Sequence, residues 1–218
     1  MDAALRRAWT GIVTPDDYEH HMAAIGQAQA AAELARRVVV RAGLPPGGAL
    51  TIAGAGTGQM FEFLEDGLFD PYRLTCTDLN ASFLDRLRER LVKRGLTAAI
   101  LQDDFENTSL SPGIGLLLAT LLLEHIDWRK GVATIAGLQP AMAAVILQEN
   151  PPGLTSAITP GRTLPPSIAK ASETAHPVLL PRGQFIDAMA AQQYALREVE
   201  MRDVDDGKRL VALLFDRC

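Results

Sequence analysis

The sequence predicts an α/β fold built on a doubly wound, mostly parallel sheet. Short apolar runs alternate with helical segments between residues 49 and 149, and a right-handed crossover between parallel strands needs a helix between them. The runs at 114–120 and 141–148 contain no charged residue, which is typical of central strands that are covered on both faces. Two further strand-like runs around a turn signal end the chain, so an antiparallel hairpin is predicted to close the sheet.

Each element of this alternation has its own local signal. A run rich in Ala, Gln, Glu and Arg predicts a helix over 16–42, which Gly43 and Pro45 end. The segment 81–94 has three leucines on one face and predicts an amphipathic helix. The other elements predicted in this part of the chain are strands at 49–54, 73–77, 97–102, 114–120 and 141–148, and helices at 58–66 and 128–138.

The composition of the chain changes after residue 149. Seven of its 13 prolines lie between Asn150 and Gly183, which predicts an irregular insertion with a short helix at 167–174. Asp205-Asp206-Gly207 is the turn signal of the hairpin. The closing elements are a helix at 184–193 and strands at 195–203 and 208–216, which bring the predicted sheet to seven strands.

The overall composition is that of one ordinary globular domain. The 218 residues are 48% hydrophobic and carry a net charge of −5, so no broad cationic face for nucleic acid or anionic lipid is expected. The longest apolar run, Gly113–Leu123, is shorter than the roughly 20 residues of a membrane span, and no apolar leader run follows Met1. Cys76 and Cys218 are too few for a disulfide framework. We therefore expect a cytoplasmic protein that binds neither nucleic acid nor membrane, and a homo-oligomer remains possible.

The most informative stretch is an apolar run that ends in three glycines spaced G-x-G-x-G, namely Gly54, Gly56 and Gly58. A second strand-like run then ends at Asp78. In an α/β protein this order of motifs grips an adenosine-type cofactor, because the glycines let the backbone approach the ligand and the carboxylate accepts hydrogen bonds from ribose hydroxyls. The dinucleotide pattern G-x-G-x-x-G fails, since its sixth position is Gln59.

This order of motifs resembles the class I S-adenosylmethionine-dependent methyltransferases, which have a seven-stranded, Rossmann-like sheet. The resemblance implies S-adenosylmethionine as the cofactor and S-adenosylhomocysteine as the product. It also implies an enzyme that transfers a methyl group to a small-molecule acceptor by in-line displacement. Two alternatives stay open: a methyltransferase-like protein that binds the cofactor without catalysis, and an NAD(P)-binding oxidoreductase.

The resemblance assigns cofactor-binding roles to the ends of the first two strands. The loop under the methionine part of the cofactor is matched by Gly54, Ala55, Gly56 and Gly58. Asp78 matches the residue that holds the ribose, and Leu79 matches the neighbour that packs on adenine. The alternative for Asp78 is the N-cap of the next helix, although Asn80 is better placed for that.

The end of the third strand resembles the adenine site of the family. Asp104 aligns with the carboxylate that accepts from the adenine amino group, and Phe105 with the residue whose backbone N–H reaches a ring nitrogen. Asp103 is the alternative if the alignment shifts by one residue. Two adjacent acids at a strand end are equally compatible with a solvated turn.

The segment Leu118–Ile126 resembles the N-x-x-L-x-H-h signature of many small-molecule methyltransferases. By that match the Thr120 carbonyl faces the ammonium group of the cofactor, and His125 stands near the methyl-transfer pocket. The alternative for His125 is a turn residue satisfied by backbone. The sequence has Gly113-Ile114-Gly115 where the family usually has an Asp, a departure that leaves the cofactor contacts untouched.

The family often folds an N-terminal helix over the cofactor, which makes Tyr18 and His21 candidate acceptor-side groups. With His125, they are the candidates for a general base or for acceptor positioning. His20 and His21 are adjacent and do not face one site on a helix, so no metal site is expected. Trp9 is expected to pack in the core or in the cap.

By this resemblance the chain is a single domain with four parts. These are an N-terminal helical cap at 1–48, a cofactor-binding core at 49–149, a substrate-cap insertion at 150–183, and a helix with the closing hairpin at 184–218.

Overall fold

Seven strands form one mixed sheet in a computed structural model that describes residues 3–154 and 161–218. They are β1 (Ala49–Ala53), β2 (Arg73–Asp78), β3 (Ala99–Gln102), β4 (Leu116–Thr120), β5 (Met142–Glu149), β6 (Tyr194–Asp203) and β7 (Arg209–Arg217). Their order is β3-β2-β1-β4-β5-β7-β6. The first five strands are parallel, whereas β7 runs antiparallel to both β5 and β6. The predicted fold class, with its closing hairpin, is confirmed.

Helices cover both faces of this sheet. They are α1 (Ala3–Arg7), α2 (Pro15–Ala24), α3 (Gln27–Ala42), α4 (Ala81–Lys93), α5 (Trp128–Leu138), α6 (Pro166–Ser172) and α7 (Arg182–Ala191). The buried faces of α3 and α4 pack on one side of the sheet, and those of α5 and α7 pack on the other. Strand β5 shows the division, since Ala144 and Ile146 face the first side while Val145 and Leu147 face the second. Both sides of the central strands are therefore buried, as their lack of charge predicted.

Two predicted helices differ from the structure. The helix expected over 16–42 is broken at Gly26, which has φ +68° and directs α2 away from the axis of α3. The helix expected at 58–66 is a single 3₁₀ segment, Gln59–Phe63, because Gly58 is left-handed at its start and Leu64 is extended at its end. Residues 155–160 of the predicted insertion, and the first two residues of the predicted cap, lie outside the described residues.

The parallel register brings the carboxyl ends of three strands to one edge of the sheet. Ala53 on β1 lies opposite Thr77 on β2 and Ala119 on β4. The residues that follow these strands therefore meet where the strand order reverses, between β1 and β4. Open α/β sheets bind their ligands at such a point.

A roof covers this edge of the sheet. We use the term for residues 3–25 and 164–177, which come from distant parts of the chain and share a small apolar cluster with Phe83 of α4. Ser167 joins the two parts: its hydroxyl accepts the Thr14 N–H at 3.1 Å, and its own N–H donates to the Asp17 carboxylate at 2.7 Å. Among the described residues, no helix has the length and apolar character that crossing a bilayer requires.

The third glycine of the motif provides a test of packing. A Cβ on Gly58 would lie 2.3 Å from Cδ1 of Leu87, which is fully buried, whereas a Cβ on Gly95 would meet nothing within 4 Å. Both glycines have positive φ, +72° and +66°. We expect Gly58→Ala to lower the free energy of unfolding by about 1–3 kcal/mol more than Gly95→Ala, because only the first variant overpacks the core. Urea unfolding of both variants measures the difference, and equal losses would contradict it.

Candidate active site

A cavity of about 190 Å³ lies between the roof and the carboxyl edge of the sheet. Eleven of the 13 site residues predicted from the sequence line it, and Ala55 and Gly58 do not. The eleven are Tyr18, His21, Gly54, Gly56, Asp78, Leu79, Asp103, Asp104, Phe105, Thr120 and His125. Residues separated by more than one hundred positions in sequence thus surround one space.

The carboxylate of Asp78 ties the glycine loop to the end of β2. Its Oδ2 accepts the N–H of Gly56 and its Oδ1 accepts the N–H of Asn80, each at 2.9 Å. Burial raises the pKa of Asp78, and these two backbone donors oppose that shift. The cap of α4 is Asn80, whose side chain accepts the N–H of Ser82 and of Phe83. The alternative that Asp78 caps this helix is therefore wrong.

The glycines of the loop have different surroundings. Gly54 and Gly56 line the cavity with positive φ, and a Cβ on Gly56 would lie 3.4 Å from the Tyr18 hydroxyl. Gly58 instead packs against Leu87. Ala55 borders a smaller space of about 40 Å³, whose lining shares Tyr18, Gly54 and Thr120 with that of the cavity. The structure does not bring the third glycine to the cavity, because it begins the 3₁₀ segment behind the loop.

The two acids after β3 hold their own turn. Asp103 is buried and accepts three hydrogen bonds, from the Thr108 hydroxyl at 2.6 Å and from the N–H and hydroxyl of Ser109 at 2.8 and 2.9 Å. Asp104 accepts the Asn107 amide at 3.0 Å and pairs with the Arg6 guanidinium of the roof. Partial burial alone raises the pKa of Asp104, but these two partners hold it below its usual range. The turn is therefore not simply solvated.

Aromatic rings form one wall of the cavity. Trp9 contacts His125 edge to face with a centroid distance of 4.5 Å, and it contacts Tyr18 at 6.0 Å. Tyr18 in turn lies 4.9 Å from Phe83. The carbonyl of Trp9 accepts the Asn80 amide at 2.6 Å, which fixes the roof to the start of α4. Trp9 packs in the roof, in line with the expected core or cap packing, and it also lines the cavity.

Burial shifts the pKa values of the three predicted acceptor-side groups, His125, His21 and Tyr18. Burial lowers the pKa of His125 to about 4, so its imidazole is neutral at pH 7. Its Nδ1 is buried and has no hydrogen-bond partner in the part of the chain that the structure describes. Burial also lowers the pKa of His21, with Arg162 and Lys208 adding to the effect, and burial raises the pKa of the Tyr18 hydroxyl. The alternative for His125, a turn residue whose side chain is hydrogen-bonded by the backbone, requires a partner that Nδ1 does not have among the described residues.

Sequence reasoning gave no role to Glu124, which also lines the cavity. Its side chain is 3% exposed, and its Oε1 accepts the N–H of Gln148 at 2.7 Å. Its Oε2 is buried without a hydrogen-bond partner among the described residues. Burial raises the pKa of Glu124 to about 7, against the effect of the Gln148 N–H. A carboxylate between Leu123 and Ile126 in an otherwise apolar run was the signal that could have revealed it.

A chain of amides borders the same part of the cavity. Gln27 at the start of α3 donates to Gln148 at 2.6 Å, and Gln148 donates to Asn150 at 2.8 Å. Gln27 and Gln148 line the cavity together with Glu124. Within the described ranges, no three His, Cys, Asp or Glu side chains are grouped so that they could hold a metal ion.

Comparison with known proteins places this fold. Residues 52–138 match a family model described as a methyltransferase domain. Magnesium protoporphyrin IX methyltransferase from Synechocystis PCC 6803, solved with bound SAH, aligns with a TM-score of 0.66 at 12% identity over 87% of this chain and 83% of that one.

Two further solved structures are similar. A geranyl diphosphate methyltransferase in complex with SAM gives a TM-score of 0.64 at 13% identity, covering 86% of this chain and 85% of that one. Geranyl diphosphate C-methyltransferase from Streptomyces coelicolor A3(2) gives 0.60 at 12% identity over 80% and 74%. At these identities the likeness shows the fold alone. No curated protein matches the chain.

The buried carboxyl of Glu124 predicts a pH-dependent stability. Its pKa in the folded protein lies above the ordinary value of 4.5, so the protein loses stability as the pH rises from about 4.5 to about 7. Glu124→Gln keeps the shape and the Gln148 contact but removes the titration. We expect the free energy of unfolding of the wild type to fall relative to the variant by about 3 kcal/mol across that range. Urea unfolding at several pH values measures this, and parallel curves would contradict it.

Proposed function

We propose that this chain is a class I S-adenosylmethionine-dependent methyltransferase, and that it transfers a methyl group from S-adenosylmethionine to a small-molecule acceptor. The matched methyltransferase-domain model and the fold shared with solved methyltransferases support the proposal. The observation that carries the proposal is the Asp78 carboxylate, held against the glycine loop at the edge of the cavity. The parallel order of the central strands puts this carboxylate where such folds bind a nucleoside.

The first half of the cavity, which we call the cofactor half, fits the adenosine and methionine parts. It comprises Gly54, Gly56, Asp78, Leu79, Asp103, Asp104, Phe105 and Thr120. Two features of the free protein support the fit. The space beside Gly56 would be narrowed by any side chain at that position, and the buried Thr120 Oγ1 has no partner within the described residues.

In this proposal, the residues of the cofactor half bind different parts of S-adenosylmethionine. Asp78 accepts hydrogen bonds from the ribose hydroxyls, and Leu79 packs on adenine. Asp104 accepts a hydrogen bond from the adenine amino group, and the backbone N–H of Phe105 donates to a ring nitrogen. Asp103 is the less suitable acid, because three internal donors already occupy its oxygens. The carbonyl of Thr120 accepts the ammonium group. When bound, S-adenosylmethionine supplies a methyl group on a positively charged sulfur and leaves as S-adenosylhomocysteine.

The second half of the cavity, which we call the acceptor half, receives the methyl acceptor. It is bounded by His21, Gln27, Glu124, His125, Gln148 and the roof residues Ile25, Ile168, Ala171, Ala175 and Pro177. The roof residues Ile25, Ile168, Ala171, Ala175 and Pro177 give this half an apolar cover, which supports an acceptor of small size. The chain's main task is to align the two reactants in line and to exclude water, since orientation can supply roughly 7–11 kcal/mol of such a barrier.

The roof residues Tyr18 and His21, with His125, position the acceptor in this proposal. A neutral His125 accepts or donates one hydrogen bond without placing a charge in the cavity. Its lowered pKa makes it a weak general base at neutral pH. Tyr18 is protonated at that pH and can only donate or accept a hydrogen bond through its hydroxyl.

Thermal unfolding with S-adenosylmethionine, S-adenosylhomocysteine, NAD and NADP in parallel tests the proposed cofactor. A ligand that binds only the folded protein, at 100 times its dissociation constant, adds about 2.7 kcal/mol and raises the melting temperature by several degrees. We expect a rise with the first two ligands alone. A rise with NAD or NADP would instead support the oxidoreductase. Binding without turnover of any acceptor would support the non-catalytic alternative.

A substitution at Asp78 tests the proposed ribose site. Asp78→Asn keeps the size of the side chain but removes the charge and one acceptor oxygen. We expect the affinity for S-adenosylhomocysteine to fall about tenfold or more, equivalent to about 1.4 kcal/mol or more. Isothermal titration calorimetry measures the affinity, and the exposed Asp85→Asn on α4 is the matched control. An unchanged affinity in a folded Asp78→Asn protein would place the ribose elsewhere.

A further inference from the structure

Glu124 is held rigidly at two points. Its side-chain Oε1 accepts the Gln148 N–H of β5 at 2.7 Å, and its backbone carbonyl accepts the N–H of Val178 at 2.7 Å. The first contact fixes the carboxylate to the sheet, and the second fixes the segment that follows the roof to Glu124. The carboxylate is therefore positioned before any ligand binds, as a binding group should be.

The second oxygen of the same carboxylate lacks a protein partner. Oε2 of Glu124 is buried and makes no hydrogen bond to any described residue. No described lysine, arginine or histidine forms an ion pair with Glu124 within 4.0 Å. Buried carboxylate oxygens are normally paired, because leaving one unpaired in apolar surroundings is unfavourable. An unpaired oxygen on the wall of a cavity is therefore suited to a donor that arrives with a ligand.

The other acids of the cavity are already engaged. Asp78 accepts two backbone N–H groups, and Asp103 accepts three internal donors. Asp104 is paired with Arg6 and Asn107. Of the four acids that line the cavity, Glu124 alone combines near-complete burial with an oxygen that accepts nothing from the described residues.

The other titratable groups around Glu124 are less suited than Glu124 to act as a general base. The neighbouring His125 is neutral at pH 7, and the two groups that α2 contributes, Tyr18 and His21, are a protonated phenol and an imidazole whose pKa is lowered. Burial raises the pKa of Glu124 to about 7. A group with a pKa near the working pH is the most effective general base.

We propose that Glu124 binds and deprotonates the acceptor, which is a small, mainly apolar molecule that presents one O–H or N–H group to Oε2. This inference rests on the proposed methyl transfer. The acceptor heteroatom forms a bond to the methyl carbon while the carbon–sulfur bond of the sulfonium breaks and its electron pair stays on sulfur. The proton of the heteroatom passes to Oε2 of Glu124. An anionic acceptor is excluded, because its charge would face the ionised carboxylate.

Phenol and toluene are matched probes for this site, since they have nearly the same size and only phenol carries a hydrogen-bond donor. We expect the full-length wild-type protein, with and without S-adenosylhomocysteine, to bind phenol about tenfold or more tightly than toluene. Glu124→Gln should abolish this preference, because the amide places an NH₂ donor where the unpaired oxygen was. Ligand-detected NMR titration measures both affinities.

Glu106→Gln is the matched control. Glu106 is a partly buried glutamate outside the cavity, and its Oε1 likewise accepts a backbone N–H, that of Asp127 at 3.3 Å. The preference for phenol should persist in this variant. In the wild type it should weaken as the pH falls from about 7.5 to about 5.5, as Glu124 becomes protonated, and a purely structural role would not produce this change.

The outcomes separate this inference from the proposed function. A wild type that does not distinguish the two probes, or a Glu124→Gln variant that still does, overturns the role of Glu124. S-adenosylhomocysteine affinity, measured on the same samples, should be equal in wild type and Glu124→Gln. Failure of the wild type to bind S-adenosylhomocysteine would overturn the proposed function, while the probe pair without it still reports on Glu124.

Discussion

The rest of the site depends on the two hydrogen bonds that the Asp78 carboxylate accepts from the N–H groups of Gly56 and Asn80. They join the loop after β1 to the turn after β2, and the N–H of Ala55 adds a backbone bond to Thr77 across the same gap at 2.9 Å. The parallel register of the two strands brings these loops together, and the carboxylate then sets their separation. Asn80, placed by this turn, caps α4 and anchors Trp9 of the roof. One partly buried acid thereby connects the sheet, a helix and the roof of the cavity.

The two proposed halves of the cavity differ in how their carboxylates are paired. In the proposed cofactor half, Asp78 accepts one backbone N–H at each oxygen and Asp103 accepts three internal donors, which keeps both carboxylates in place. In the proposed acceptor half, Oε2 of Glu124 and Nδ1 of His125 are buried and have no hydrogen-bond partner among the described residues, as is also true of Oγ1 of Thr120 in the cofactor half. Unpaired buried polar atoms lower the stability of the folded protein. These atoms therefore destabilise the free protein and are available to bind a ligand.

Local signals predicted the strands and eleven of the residues that line the cavity. Glycine spacing and a strand that ends in Asp78 are properties of short segments, so they can be recognised from the sequence alone. The break at Gly26 was not, because the flanking residues favour a helix and only a left-handed glycine separates α2 from α3. The place of Trp9 in the cavity wall and the presence of Glu124 there were also missed. Both side chains contact residues that are distant in the sequence, such as Phe83 and Gln148, and no local sequence pattern predicts such contacts.

The roof contributes no strand to the sheet, and this has an evolutionary consequence. Its two parts are joined to each other through Ser167 and cover the cavity without entering the register of any strand pair. Mutations there can reshape the cover while the pairing that builds the sheet stays intact. Selection can thus act on what the cavity admits independently of what makes the domain fold, so related chains are free to diverge most in these two segments.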